Sequence, residues 1–215
     1  MTEQPAAAAR LRTSLTSPYG RKARAVIIER GLQASVPVDE VDPWSPDTDL
    51  GQDNPIGKVP TLILADGTVL MDSPLVCEFL DVTAPGGPAL FPQELPGRVA
   101  ALRWHALADG IIDAAVTRLL DLRRPAELQW ENWRTRQATA IERTGAMLER
   151  EADALAAAPF TIGVLTVVVA LDYLDLRFAE FAWRDRYPQL AAWYPAVAGR
   201  VCLAETLPPD LANRR

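Results

Sequence analysis

The sequence predicts an α/β domain followed by an all-helical domain. Up to residue 83 its patterns alternate between strand and helix. Residues 84–96 then contain four prolines and two glycines, so no regular element can run through them. Beyond this segment, apolar residues recur at helical spacing. We therefore expect a disordered tail over 1–9, an α/β domain over 10–83, a linker over 84–96 and a helical domain over 97–210.

Local sequence features delimit the elements of the first domain. Gly31 occupies the position of a helix C-cap, and Ala65-Asp66-Gly67 is typical of a hairpin turn. Ser73-Pro74 combines a favoured N-cap with the residue preferred at the first helical position. The predicted elements are strands over 10–17, 34–41, 59–64 and 68–71, helices over 21–30 and 73–82, and a loop over 42–57 with at most one helical turn.

The second domain shows helical patterns throughout. A long segment over 127–157 is expected to carry Trp130 and Trp133 on its apolar face. Residues 161–181 are apolar almost all round in their first half, which predicts the buried central helix, and a further helix is expected over 187–200. The stripe of the first helix consists of Trp104, Leu107, Ile111, Ala115 and Leu119.

Composition excludes several classes of protein. The 215 residues include 28 acidic and 22 basic ones, and this net charge of −6 argues against nucleic-acid binding. His105 is the only histidine, Cys77 and Cys202 are isolated, and no nucleophile elbow, dinucleotide-binding or Walker motif is present. We expect neither a metal site nor a Ser-His-Asp enzyme.

The termini and cysteines bear on location. The N-terminal segment lacks a basic start followed by an apolar stretch, and the most apolar run, over 160–171, is too short to cross a bilayer. Two lone cysteines fit a reducing compartment. We expect a cytoplasmic protein without a membrane partner.

A first candidate site is the turn that contains Ser17. A hydroxyl between a strand and a helix N-terminus lies where free N–H groups favour an anion, and it can lower the pKa of a bound thiol. The simpler alternative is that Ser17 only caps the helix.

A second candidate site is the segment over 54–62. A cis Pro60 would turn the backbone of Val59 outward, where it could pair with a peptide ligand as an added strand does. The alternative is an ordinary entry of a loop into a strand.

A third candidate site is Asp72-Ser73, just before a helix. Asp72 can hold an α-amino group, while the N–H and hydroxyl of Ser73 can hold an α-carboxylate. The alternative is a plain helix start.

In this order the motifs resemble the glutathione S-transferase family. They are S-P-Y at 17–19, N-P-x-G-K-V-P-x-L at 54–62 and D-S-P at 72–74, followed by a proline-rich linker and helices. R-Y-P-Q-L-A-A-W at 186–193 resembles the penultimate helix of that family, and A-D-G-I-I-D-A at 108–114 resembles a subset of bacterial members. The resemblance covers residues 10–209 and implies a thioredoxin-like βαβ-ββα domain followed by a helical bundle.

The resemblance also implies roles for individual residues. Ser17 matches the hydroxyl that activates the glutathione sulfur, with Ser14 and Thr16 as rivals, and the lack of a cysteine at this turn argues against mixed-disulfide chemistry. The residues expected to bind glutathione are Tyr19, Asn54, Lys58 (glycyl carboxylate), Val59 (cysteinyl backbone), Pro60 (the cis-proline), Asp72 and Ser73 (γ-glutamyl end).

Other residues have weaker assignments. Asp109, on the first helix of the second domain, is expected either to face the ligand across the cleft or to reach the site of the other subunit. His105 is expected at a helix surface or interface, Cys77 as a small buried residue, and most tryptophans in packing. Family members commonly begin the central helix with a capping box, but Thr161 lacks the acid three residues later and keeps only its own capping bond.

The resemblance implies a function. The chain is expected to be a homodimeric transferase that adds the thiolate of glutathione to an apolar electrophile, as in detoxification, with no metal. Two alternatives remain: a glutathione-binding or regulatory module with little turnover, and an isomerase, dehalogenase or peroxidase of the same fold. The second substrate has no readable motif.

Overall fold

The computed structural model describes residues 9–213, so residues 1–8 of the predicted tail lie outside the described part. A four-stranded sheet with the order β2-β1-β3-β4 forms the N-terminal domain. The second strand is parallel to the first, whereas the third and fourth are antiparallel to their neighbours. The strands are β1 (Arg10–Thr13), β2 (Val38–Glu40), β3 (Thr61–Ile63) and β4 (Val69–Leu70), and the helices are α1 (Pro18–Glu29), α2 (Leu50–Asp53) and α3 (Ser73–Thr83).

Two predicted strands are wrong in their bounds. The first ends at Thr13 instead of residue 17, because the chain turns there and the backbone N–H of Ser17 donates to Ser14 O at 3.2 Å. The second begins at Val38 instead of residue 34, because the N–H groups of Ser35 and Val36 both donate back to Leu32 O. The predicted hairpin turn is confirmed, and Gly67 adopts a φ of 85°.

The C-terminal domain is helical, which confirms the predicted fold class. Its helices are α4 (Leu95–Leu122), α5 (Glu131–Arg150), α6 (Ala152–Ala157), α7 (Ile162–Arg177), α8 (Trp183–Arg186), α9 (Pro188–Ala198), α10 (Val201–Ala204) and α11 (Pro209–Ala212). The helix before them ends at Thr83, and the exact domain and linker limits stay a prediction.

The predicted helix over 127–157 is wrong in two respects. It consists of two helices that meet at Glu151, and Trp130 lies before the first of them. The backbone N–H of Trp130 donates to Asp121 Oδ2 at 3.1 Å, which holds this tryptophan outside the helix. Trp130 and Trp133 are exposed and stack with ring centroids 6.0 Å apart, whereas Trp104, Trp183 and Trp193 are buried as expected.

Helix α7 forms the centre of the helical core, as predicted, and is buried over most of its length. It lies so close to α4 that a Cβ on Gly163 would approach Ala101 O to 2.4 Å. The expected capping bond of Thr161 is wrong, because its hydroxyl is buried and has no partner among the described residues. The first N–H of the helix, that of Ile162, donates to Leu90 O at 2.9 Å.

Buried polar contacts join α1 to the helical domain. The Arg21 guanidinium is almost completely buried and lies 2.8 Å from Asp172, while it donates to Leu203 O at 3.0 Å. These contacts fix the helix that starts after Ser17 against α7 and α10. Within the described residues, no helix is both long and apolar enough to span a membrane.

Candidate functional site

The three candidate turns lie at one end of the sheet. Strand β3 runs antiparallel to β1, so the start of β3 at Thr61 lies beside Arg12, near the end of β1. Strand β4 runs antiparallel to β3, so its end at Leu70 lies beside Leu62. The turns at Ser17, Val59 and Asp72 follow or precede these strand ends directly, and the topology therefore brings them together.

Ser17 caps α1 and keeps its own hydrogen available. Its Oγ accepts a hydrogen bond from Gly20 N at 3.1 Å, and in residues 9–213 its hydroxyl donates to no acceptor. Ser14 and Thr16 instead contact each other, with their hydroxyl oxygens 3.3 Å apart. Both interpretations of Ser17 are thus compatible: it caps the helix and can donate a hydrogen bond at the positive end of the helix dipole.

Gly20 allows the first turn of α1 to pack closely against β1. A Cβ at this position would lie 1.7 Å from Thr13 Oγ1 and 3.0 Å from Thr13 Cβ, and real Cβ atoms do not approach other atoms so closely. Thr13 is completely buried at the end of β1. A glycine is therefore required for the first turn of α1 to pack against the strand from which it emerges.

The segment before β3 presents free backbone groups. The Val59–Pro60 peptide bond is cis, as expected for Pro60. The backbone N–H and C=O of the half-buried Val59 have no hydrogen-bond partner among the described residues. Lys58 is exposed, and its side chain projects from the same segment.

Asn54 organises this segment from inside. Its buried amide nitrogen donates to Lys58 O at 2.9 Å and to Thr61 Oγ1 at 3.0 Å, and its amide oxygen accepts from Ile56 N at 3.0 Å. These contacts occupy both ends of the buried amide, so Asn54 holds the loop in shape.

Asp72 and Ser73 do not offer to a ligand all the groups that were expected to bind it. The Ser73 N–H donates to the Asp72 carboxylate, so it is not free for a ligand carboxylate unless that contact breaks. The Ser73 hydroxyl, in contrast, is buried at the start of α3 and has no partner among the residues that the structure describes. A buried hydroxyl without a partner is costly, which makes it a candidate for a ligand contact.

On α4, Asp109 is paired within its own chain. Its carboxylate accepts from the buried Lys22 of α1 and lies 3.1 Å from His105 Nε2. His105 is therefore buried between α1 and α4 and is not at the helix surface. Burial opposes the ionisation of Asp109, but the hydrogen bond from His105 and the charge of Lys22 outweigh it and lower the pKa of Asp109.

A second acid on α4, Asp113, is a residue that sequence analysis did not single out. Its carboxylate accepts a hydrogen bond from the Tyr19 hydroxyl, which comes from the first turn of α1. Burial and this contact raise the pKa of Tyr19, so the phenol stays protonated. The spacing of Asp109 and Asp113 by four residues was the available clue, because it places both acids on one face of a helix.

Both cysteines are buried thiols. Cys77 is completely buried in α3, as predicted, and burial raises the pKa of its thiol to about 12. Burial likewise raises the pKa of Cys202 to about 12. Neither thiol is therefore a thiolate at neutral pH.

Two family models match the chain. "Glutathione S-transferase, N-terminal domain" matches residues 16–83, and "Glutathione S-transferase, C-terminal domain" matches residues 131–195. An uncharacterized GST-like protein of Escherichia coli K12, YibF, is 30% identical over 198 residues, which cover 91% of this chain and 96% of the relative. The chain belongs to the glutathione S-transferase family.

Solved structures of other glutathione S-transferases superpose on the chain. A glutathione transferase family member from Pseudomonas fluorescens Pf-5, crystallised with bound glutathione, is 40% identical, with a TM-score of 0.89 and coverage of 94% of this chain and 100% of that one. A glutathione S-transferase from Methylobacillus flagellatus KT, also with glutathione bound, is 34% identical, with a TM-score of 0.86 and the same two coverages.

Proposed function

We propose that this chain binds glutathione at the three turns and adds its sulfur to an apolar electrophile. The observation that carries the proposal is the meeting, at one end of the sheet, of three unused groups: the Ser17 hydroxyl, the Val59 backbone and the Ser73 hydroxyl. In this order, the three groups can form hydrogen bonds with the thiol, the cysteinyl backbone and the γ-glutamyl carboxylate of glutathione. Family membership and the glutathione bound in two relatives support the same assignment.

Each residue then has a defined role. Lys58 attracts the glycyl carboxylate, and the Val59 backbone pairs with the cysteinyl unit as an added strand would. Asp72 holds the α-amino group once a ligand carboxylate takes its place on Ser73. Tyr19 lies beside Ser17 in the first turn of α1, and Asn54 and Pro60 shape the Val59 segment.

Ser17 provides the chemistry on the protein side. When bound, glutathione supplies the sulfur nucleophile, which attacks an electrophilic carbon. The Ser17 hydroxyl, with the N-terminus of α1 behind it, stabilises negative charge on a neighbouring sulfur and so lowers the pKa of that thiol. A shift of two pKa units corresponds to about 2.7 kcal/mol, a magnitude that one hydroxyl and a helix terminus can supply.

A titration followed by a pH scan tests the proposal. Calorimetry measures the binding of glutathione, and thiolate absorbance of the complex then gives the pKa of the bound thiol. Binding with a pKa below about 7 supports the transferase. Binding with an unshifted thiol pKa favours a non-catalytic binding module, and a failure to bind refutes the proposed function.

We also propose that two copies associate through α3 and α4. Leu75 and Val82 are exposed on α3, and Leu95 and Val99 are exposed near the start of α4. An ion pair between Glu78 and Arg98 joins the two helices that carry these apolar residues. A homodimer would remove them from water.

Light scattering tests the association. A dimer has twice the 23.5 kDa mass of the chain, and Val82→Glu should shift it towards the single-chain mass. A mass of 23.5 kDa for the parent at micromolar concentration refutes the dimer.

A cytoplasmic location and a role in detoxification complete the proposed function.

A further inference from the structure

The contact between Tyr19 and Asp113 joins α1 to α4 beside the candidate thiol site. Tyr19 follows Ser17 by two residues in the first turn of α1, and its hydroxyl donates to the Asp113 carboxylate on α4. Tyr19 is half-buried, whereas Asp113 is exposed. A molecule that enters beside Ser17 therefore meets a carboxylate that solvent and ligand can both reach.

The two acids on this face of α4 differ in whether a cationic side chain balances their charge. Asp109 and Asp113 are one helical turn apart, but only Asp109 has a cationic partner, the buried Lys22. Asp113 forms no ion pair with any residue between 9 and 213, and its one described partner is the neutral hydroxyl of Tyr19. Lys22 lies 5.6 Å from the centre of the Tyr19 ring, yet its charge is already balanced by Asp109. The Asp113 carboxylate, which contacts Tyr19 two residues after Ser17, thus has no cationic partner in the described part of the chain.

We propose that Asp113 is a specificity-determining residue for the second substrate, favouring electrophiles that carry a positive charge or a hydrogen-bond donor and disfavouring those that carry a carboxylate. This inference rests on the proposed function, because it assumes that the second substrate binds beside the glutathione sulfur. Tyr19 positions the carboxylate, since its hydroxyl holds one oxygen and leaves the other free. In a partly exposed site an opposite charge at contact distance raises the affinity about threefold and a like charge lowers it about threefold, so the two charged ligands should differ about tenfold.

Three glutathione conjugates of similar substituent length but different terminal charge provide the test. They are S-(3-aminopropyl)glutathione, which is cationic at its end, the neutral S-butylglutathione, and S-(2-carboxyethyl)glutathione, which is anionic there. Calorimetry with the full-length protein gives the Kd of each, after glutathione itself has been titrated. Because the glutathione part is common to all three, the ratios of Kd report on the substituent alone.

Three variants separate the charge of Asp113 from other effects. Asp113→Asn removes the charge at nearly constant size, and Tyr19→Phe removes the hydroxyl but keeps the charge. Asp153→Asn, at an exposed acid of α6, makes the same change in net charge away from the cleft.

The expected result is a ranking with the ammonium conjugate tightest and the carboxylate conjugate weakest, about tenfold apart. Asp113→Asn should reduce this ratio to about twofold or less, whereas Tyr19→Phe and Asp153→Asn should retain the ranking. A parent protein that binds all three conjugates equally, or a ratio unchanged in Asp113→Asn, overturns the assignment of Asp113 and leaves glutathione binding intact. If neither glutathione nor any conjugate binds, the proposed function fails together with this inference.

Discussion

Lys22 of α1 forms an ion pair with Asp109 of α4 although the lysine side chain is completely buried. The same carboxylate lies 3.1 Å from His105 Nε2, so one acid serves two basic side chains. This pair joins the helix that begins after Ser17 to the first helix of the other domain. The orientation of the candidate thiol site relative to α4 therefore depends on a buried charge.

Asp109→Asn should destabilise the protein strongly, because it leaves the buried Lys22 ammonium without a counter-charge. We expect a loss of about 3 kcal/mol in the free energy of unfolding, measured by urea denaturation. Replacing both partners, in Lys22→Met with Asp109→Leu, should be less costly than the single change. Asp153→Asn serves as the control and should stay within about 0.5 kcal/mol of the parent. Equal losses in Asp109→Asn and Asp153→Asn would contradict the importance of the pair.

The contribution of Asp109 should depend on pH. The pKa of Asp109 is lower in the folded state than in the unfolded chain, where it is about 3.9. Its stabilisation is thus fully present above about pH 4 and is lost as the pH falls through the lowered folded pKa. The difference in urea midpoint between the parent and Asp109→Asn should shrink from pH 6 to pH 2.5. A difference that stays constant over this range would rule out Asp109 as the titrating group.

Ser17→Ala should change two properties at once. The pKa of glutathione bound to the variant should rise by at least about one unit, because the hydroxyl that stabilises the thiolate is gone. The free energy of unfolding should fall by about 1 kcal/mol, because Gly20 N loses its capping acceptor. Thiolate absorbance and urea denaturation measure these effects. Ser17→Thr should preserve both properties, and Ser14→Ala should leave the thiol pKa unchanged; a shift in Ser14→Ala alone would transfer the role to Ser14.

Thr161→Val should be neutral or stabilising despite its position at the start of the central helix. The Thr161 hydroxyl is buried and has no partner within the described part of the chain, so its removal leaves no new unsatisfied group. Thr166→Val is the matched change on the same helix, and it should cost about 1 kcal/mol because the Thr166 hydroxyl donates to Ile162 O at 2.7 Å. Thermal and urea unfolding measure both variants. If Thr161→Val lowers the free energy of unfolding as much as Thr166→Val does, the Thr161 hydroxyl does cap the helix.

Gly20→Ala should destabilise the fold by about 2 kcal/mol or more, because the new methyl group overlaps Thr13. Thr13→Ala should recover part of this loss in the double variant, since the atom nearest to the new Cβ is Thr13 Oγ1. Gly51→Ala, where no atom lies within 4 Å of the added Cβ, is the control and should cost nothing. If the losses in the free energy of unfolding from Gly20→Ala and Thr13→Ala simply add in the double variant, the new methyl group is accommodated by a movement other than that of Thr13.

Local sequence predicted the elements best where short-range chemistry decides them. A helix begins at Ser73-Pro74, although Asp72 and not Ser73 is its N-cap. Ala65-Asp66-Gly67 turns a hairpin, and Gly31 follows α1 with a φ of 68°. The predictions were wrong where a distant group competes. The carboxylate of Asp121 accepts from the N–H of Trp130, which lies before α5, and the carbonyl of Leu90 accepts from the N–H of Ile162, the first residue of α7.

By itself, the sequence determined the order of the elements, the turn residues and the family motifs, because each of these depends on neighbours within a few positions. The tertiary structure alone decided which groups remain free and which acids are paired. Tyr19 and Asp113 are 94 positions apart, and Lys22 and Asp109 are 87 positions apart. Whether such residues meet depends on how α1 packs against α4, and no local pattern of side chains carries that information.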